Sequence, residues 1–275
     1  MGTGKKIFAF TIGTLAAWAY AIKPRTKDKP DLTLFSTYDY ANGGCHDFGH
    51  NKPENSIEAY EEALRHGYGI VIDVRITKDG VPVAYSDHEL WRMCSSDGKV
   101  ELSKYETIKK LKLLETEQTI PSLEEALEVI DGQVPVLLNI RSWKENYGFL
   151  CTRVCEVLDK YEGIIAIESL DYRVIKWFRN YRPNVIRGQM IERRSFGKFE
   201  VMSSAGQFAR EWLLTNWLTK PDFISCHLAD RDGISLRLCK TLYHVPLIYW
   251  TICTTQEYEL AREDDAVVVF EDIEP

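Results

Sequence analysis

The chain has little to offer a nucleic acid. Its 34 Lys and Arg are outnumbered by 41 Asp and Glu, a net charge of -7, so it has no general basic footprint and nucleic acid is not an expected partner. Paired-cysteine chemistry is also missing. Seven Cys, an odd number, are scattered at positions 45, 94, 151, 155, 226, 239 and 253. No C-x-x-C pair occurs, and no Cys/His group has zinc spacing. Cys151 and Cys155, four apart on an expected helix, read as small buried apolar residues. Unpaired thiols of this kind fit a reducing compartment. Internal repeats and low-complexity tracts are absent, and long apolar runs are scarce.

One such run exists. Ile7–Ile22 (IFAFTIGTLAAWAYAI) carries no charge over 16 residues, slightly short of the ~20 that cross a bilayer comfortably. Lys5 and Lys6 precede it, and Lys23, Arg25, Lys27 and Lys29 follow. Ala19-Tyr20-Ala21 resembles a signal-peptide cleavage site, and a plain buried helix is a third reading. The crowded basic flank and the thiols favour an uncleaved anchor. The expected organisation is therefore a transmembrane anchor over 1–22, a polar linker over 23–35 and one domain over 36–275. The membrane is then a partner, and the more basic downstream flank puts the domain on the cytoplasmic side.

What remains is ample: 275 residues with 45% hydrophobic content can bury a large core. From residue 36 onward, short β-branched runs alternate with helical patterns. The expected strands are Tyr38–Ala41, Gly69–Arg75, Val134–Arg141, Ile164–Glu168, Val185–Gln189, Asp222–Cys226, Pro246–Thr251 and Ala266–Phe270. Between them fall helices at Ile57–His66, Leu123–Ile130, Tyr147–Tyr161, Asp171–Tyr181, Gln207–Leu218, Ser235–Tyr243 and Gln256–Glu263. Ser122 with Glu125 three residues on forms a capping-box pattern. Eight strands, most of them followed by a helix, imply an α/β fold, a (β/α)8 TIM barrel whose site lies in the loops after the strands.

The stretch YDYANGGCHDFGHNKPENS, residues 38–56, has the composition of such a loop. Further on, GIVIDVRITKDGVPVAYSDHELWR occupies 69–92. Pro53-Glu54-Asn55-Ser56, Asp73-Val74, Thr77-Lys78-Asp79-Gly80, Pro82-Val83 and the Asp87…Leu90…Arg92 spacing resemble the glycerophosphodiester phosphodiesterase family. Arg187-Gly188-Gln189, Trp250-Thr251-Ile252 and Phe270-Glu271 fit it too, so the likeness runs over about 36–275. An apolar N-terminal segment also occurs in bacterial members.

The resemblance implies hydrolysis of glycerophosphodiesters with a divalent metal, Mg2+ or Ca2+. Two histidines would exchange roles as base and acid. Carboxylates would hold the metal, and an Arg and a Lys would bind the phosphate. Carried over residue by residue, most of this is missing. The first catalytic His falls on Asn42 and the phosphate Arg on Gly43. The first metal Glu falls on Val71, while Asp73 keeps the second ligand. The second catalytic His falls on Ser86, the third metal carboxylate on Asn139 and the Lys on Arg141. Alternation puts Val71 with Asp73, and Asn139 with Arg141, facing the barrel mouth.

The resulting expectation is a family member without catalysis and with no cofactor. It would serve as a binding or scaffold protein for a phosphate-bearing or lipid headgroup ligand, held through Arg141 and floored by Trp250. A lone Asp73 carboxylate needs a partner there, and Arg141 on the next strand is the obvious one. Other readings stay open. One is a working metal hydrolase rewired through His46, His50 or His88 with Asp73 and Glu54. Another is a structural membrane protein without a ligand. Against rewiring, Cys45-His46-Asp47 matches a Leu-His-Asp loop of bacterial members, and His88 reads equally as a loop residue, though either could touch a ligand. Glu54 and Asp87 read as loop or metal-shell supports. Glu168, Gln189, His227 and Glu271 line strand ends.

Overall fold

Side chains alternate along the expected strands, and one face of each is apolar over its first half and polar at its end. Closing such strands into a ring buries the apolar part and leaves the polar ends at one rim. The computed structural model, which describes residues 13–47, 52–192 and 204–275, has this arrangement. Its strands are β1 (Tyr40–Asn42), β2 (Gly69–Ile76), β3 (Pro82–Ala84), β4 (Val136–Ile140), β5 (Ile165–Ser169), β6 (Ile186–Ile191), β7 (Phe223–His227), β8 (Leu247–Ile252) and β9 (Val267–Phe270). All but β3 pair in parallel, in the order β1-β9-β8-β7-β6-β5-β4-β2, and β1 pairs with β2 to close the barrel. All eight expected strands are present. The short β3 was not expected; it runs antiparallel to β2 and pairs Val74 with Ala84.

The barrel helices are α1 (Ile57–His66), α2 (Leu123–Ile130), α3 (Tyr147–Leu158), α4 (Tyr172–Tyr181), α5 (Ser204–Glu211), α6 (Asn216–Thr219), α7 (Ile234–Tyr243) and α8 (Thr255–Glu263). Ser56 caps α1 by accepting from the Ala59 amide, and Gly67 ends it in the left-handed region at φ 72°. The Ser122/Glu125 capping box opens α2 as expected. The single helix expected over Gln207–Leu218 is instead two, α5 and α6. Leu213, fully buried, takes φ 58° between them. The break lets Asn216 donate through Nδ2 to the Ile22 carbonyl at 2.9 Å.

That bond corrects the membrane-anchor expectation. Among the described residues no helix is long and apolar enough to cross a membrane. Residues 7–12 of the apolar run lie outside the described residues. The rest of the run is helical over 13–21, a length of roughly 14 Å against a hydrocarbon core of about 30 Å. Its C-terminal end lies against the barrel. Tyr243 Oη donates to the Ala19 carbonyl at 2.7 Å, and the Trp18 and Trp212 rings sit 6.5 Å apart. Ile22 is completely buried. The end of the run, residues 18–22, is thus packed on the protein itself, while residues 13–17 and Tyr20 are exposed. The membrane as partner and the membrane-anchored location go with the anchor.

Residues after Ile22 also pack on the barrel. Arg25 bonds the Pro183 carbonyl at 3.1 Å and approaches Asp222 at 3.5 Å. Phe35 then enters the bottom of the barrel, where its ring lies 5.0 Å from Tyr40 and 5.6 Å from Phe223. Tyr40 Oη donates to the Phe35 carbonyl at 2.8 Å. Above this aromatic floor, Val71, Leu137, Ala166, Ile248, Val267 and Val269 fill the interior. The polar strand ends are thus carried on a closed, dry core.

Removing the floor has a predictable cost. Phe35→Ala is expected to lower unfolding free energy by about 3–5 kcal/mol, read from urea denaturation with the folded circular dichroism unchanged. A loss below about 1 kcal/mol would mean that the plug is dispensable.

Candidate functional site

The inward residues two positions above the apolar layer form the mouth. Asp73 and Asn139 are direct neighbours across β2 and β4, which places their side chains side by side. Asn139 Nδ2 donates to Asp73 Oδ1 at 2.8 Å. Arg141, just past the end of β4, donates to the same oxygen through Nε at 2.6 Å. Asp73 is buried, while about a third of the Arg141 side chain is exposed. Burial pushes the Asp73 carboxyl up. The Arg141 guanidinium, the nearby Ser86 hydroxyl and the charge of Arg75 outweigh it, so the pKa lies below the usual value. Among the described residues the terminal nitrogens of Arg141 carry no hydrogen bond.

A second cluster sits beside it. Asn42 Nδ2 donates to Glu271 Oε2 at 3.0 Å, and His46 Nε2 lies 3.3 Å from Glu271 Oε1. Burial lowers the His46 pKa, but Glu271, with help from Glu54 and Asp272, raises it on balance. Gly43 takes φ 65°, and a Cβ there would meet Glu54 Cβ at 3.2 Å and the Asn55 amide at 3.3 Å. Glu54 is itself committed. Its two oxygens are held by Arg92 at 2.5 and 3.0 Å, and Arg92 also bonds Asp87 through Nε. His50 lies outside the described residues.

Ser86 hands the chain to a network that sequence reasoning missed. Its carbonyl accepts from Arg75 Nε at 2.8 Å. Arg75 Nη1 pairs with Glu101 Oε1 at 2.8 Å, and Glu101 Oε2 lies 2.6 Å from His88 Nδ1. The His88 ring stacks on Trp143, centroids 4.7 Å apart. Trp143 follows Arg141 by two residues in the loop after β4. Across the mouth, Trp250 meets His227 edge-on at 5.8 Å. Gln189 points the other way, with its amide nitrogen on the Ser169 and Met190 carbonyls.

Glu168, on β5 next to Asn139, is only 1% exposed. Among the described residues its Oε2 and the Ser225 hydroxyl both lack a hydrogen-bond partner. Burial pushes its carboxyl up to about 7; Ser225 and the charge of Arg141 oppose the rise, and Asp73 adds to it. No sequence pattern marks this, because it depends on depth within the barrel.

Among the described residues the mouth offers a divalent cation few donors. Among the described residues no three His, Cys, Asp or Glu side chains are grouped to hold one. Val71 offers carbon and is 2% exposed, Asn139 donates toward Asp73, and a guanidinium stands on the carboxylate.

The model of the glycerophosphoryl diester phosphodiesterase family matches residues 48–195, more than half of the chain. The chain belongs to that family. Glycerophosphodiester phosphodiesterase of Bacillus altitudinis is 29% identical over 149 residues, 50% of this chain and 61% of the relative. That of Caldanaerobacter subterraneus is 30% identical over 152 residues, 52% and 63%. The chain thus spans about three fifths of the length of these relatives. Bovine glycerophosphodiester phosphodiesterase 1 is 24% identical over 239 residues, 78% and 71%. Among solved structures, an Oleispira antarctica phosphodiesterase in complex with the product sn-glycerol-3-phosphate superposes with a TM-score of 0.70. It is 20% identical and covers 87% of this chain and 95% of its own. The Thermotoga maritima enzyme gives 0.65 at 18% identity, covering 85% and 93%. At such identities these structures attest the fold of this glycerophosphoryl diester phosphodiesterase-family chain and nothing finer.

The buried Glu168 gives the family fold a pH signature. A carboxyl raised from 4.5 to about 7 favours the folded state fully below pH 4.5. That contribution declines as pH rises toward 7 and is gone above it. Glu168→Gln is therefore expected to be more stable than the native chain by about 3 kcal/mol above pH ~7. The difference should vanish below pH ~4.5. Chemical denaturation across pH checks this, and a pH-independent difference would contradict it.

Proposed function

We propose that this chain is a family member that has given up metal-dependent phosphodiester hydrolysis and keeps a phosphate-binding mouth. The observation that carries this reading is the bond from Arg141 Nε to Asp73 Oδ1 at 2.6 Å. A hard cation needs several oxygen donors, and Mg2+ sheds its water reluctantly. Here the one carboxylate kept from the family's set is neutralised internally. Proton transfer fares no better. Asn42 and Ser86 stand where the family resemblance places the two histidines, and each lost proton carrier costs ~10^2–10^4 in rate. His46 is engaged with Glu271, and Glu54 with Arg92.

What the mouth retains is a cation fixed in position. Asp73 anchors Arg141 through Nε and leaves the terminal nitrogens to grip a phosphate oxygen. The product complex of the Oleispira antarctica protein contains sn-glycerol-3-phosphate. A glycerol-bearing phosphate is the ligand class we propose here, with Trp250 as the floor of the pocket.

Two measurements test this. The full chain, incubated with glycerophosphodiesters and Mg2+, Ca2+ or Mn2+, should show no turnover above background. Turnover that Asp73→Ala abolishes would overturn the reading. In calorimetry, sn-glycerol-3-phosphate should bind the native chain without added metal. It should bind at least about ten-fold more weakly to the Arg141→Ala/Asp73→Ala pair, which removes the cation without stranding a buried carboxylate.

A further inference from the structure

The end of the barrel opposite the mouth gathers positive charge in a chain that is acidic as a whole. Pro221 and Asp222 lead into the N-terminal end of β7, and the Arg25 amide donates to the Pro221 carbonyl at 3.0 Å. Lys220 stands just before them, and its Nζ donates to the Lys23 carbonyl at 3.2 Å. Arg179, in the last turn of α4, holds the Trp217 and Leu218 carbonyls at 3.2 and 2.6 Å. Lys23, Arg25, Arg179, Arg187 and Lys220 are thus drawn together at the base. Asp222 answers Arg25 at 3.5 Å and Arg187 at 4.0 Å, but it is buried and turns little charge to the surface. The charges that act on Lys220 are of its own sign. Burial, then Arg179 and Lys23, hold its ammonium below the usual pKa.

Two rings stand in the same group. Tyr20 is 61% exposed and Trp217 42%. Their centroids lie 6.5 Å apart, and Lys220 Nζ is 5.7 Å from the centre of the Tyr20 ring. Tyr and Trp are among the residue types that carry most of the energy of protein interfaces. An anionic partner supplies what the cations lack, and an apolar side chain covers the rings. The total charge decides the partner's form. At -7 the protein repels a broad anionic surface, which senses all the charges it approaches. A narrow segment senses the charges within ~8 Å, the screening length at physiological salt, and at this base their sign is positive.

We propose that the base of the barrel, with Tyr20 and Trp217 framed by Lys23, Arg179 and Lys220, docks an acidic segment of a partner protein that sets apolar side chains between its carboxylates. The mouth lies at the other end of the strands, so the segment does not compete with a ligand there. The docking surface stands apart from any reading of the mouth.

The probes are three synthetic peptides of equal length, titrated into the full chain by calorimetry. One repeats Glu-Leu-Glu-Ser, the second replaces every Glu by Lys, and the third replaces every Leu by Ser. The first should bind, the second should not, and the third should bind at least about five-fold more weakly. Raising salt from about 0.1 to about 1 M shortens the screening length from ~10 to ~3 Å and should weaken the first at least about ten-fold. Lys23→Glu/Lys220→Glu should weaken it by at least about ten-fold as well, with circular dichroism unchanged. A check that does not depend on charge reversal uses the chain labelled with 5-fluorotryptophan. The Trp217 resonance, assigned through Trp217→Phe, should shift with the first peptide and stay put with the lysine peptide. No binding of the first peptide, equal binding of either other peptide, an affinity indifferent to salt or to the charge reversal, or a silent Trp217 resonance overturns the docking surface. Capture of the chain by phosphatidylglycerol vesicles through Lys23 and Lys220, in place of the peptide, overturns it too.

Discussion

A carboxylate buried in a protein has to be answered by a positive group, and in this barrel that requirement organises the mouth. Asp73 sits at the end of β2 with almost no access to water. In a metal enzyme the answer is a cation shared among several carboxylates. Here it is Arg141, supported by Asn139, and the consequences run outward. The guanidinium is locked by its Nε, so its remaining donors have a direction. Glu168, one strand further on, is driven toward its neutral form by burial, and the charge of Asp73 adds to the rise. Arg75, turned from the same strand, finds its own carboxylate in Glu101 and so brings His88 to the rim.

The barrel was legible because its signal is periodic and local. Each strand is a short β-branched run, and Ser56 and Ser122 announce their helices with side chains that cap the first turn. The family could also be read, since the motifs between Pro53 and Arg92 fall within the stretch that its model matches. The N-terminal run misled for a physical reason. Hydropathy measures the surface that avoids water and is indifferent to what covers it. The end of the run, residues 18–22, meets Trp212, Asn216, Cys239 and Tyr243, and only the fold shows those contacts.

The Glu101–His88 pair was invisible for a different reason. Glu101 comes thirteen positions after His88, with the short helix Trp91–Cys94 and a turn at Gly98 between them. No helical or strand period links such positions, and only the folded loop brings them to 2.6 Å. Trp143 was likewise lost among seven tryptophans, because what distinguishes it is a stack on a ring from another loop. β3 went unnoticed because three residues are too few to show alternation.

Gly43 is fitted closely to its surroundings. Its backbone has settled into the left-handed region, and the space where a side chain would begin is taken by Glu54 and Asn55. Glu54 in turn is gripped by Arg92, which also holds Asp87. A side chain at position 43 would have to hold the backbone against its preference and displace Glu54, which Arg92 grips. The shape of this loop thus hangs on a missing side chain: what stands beside Gly43 is there because the glycine leaves room for it.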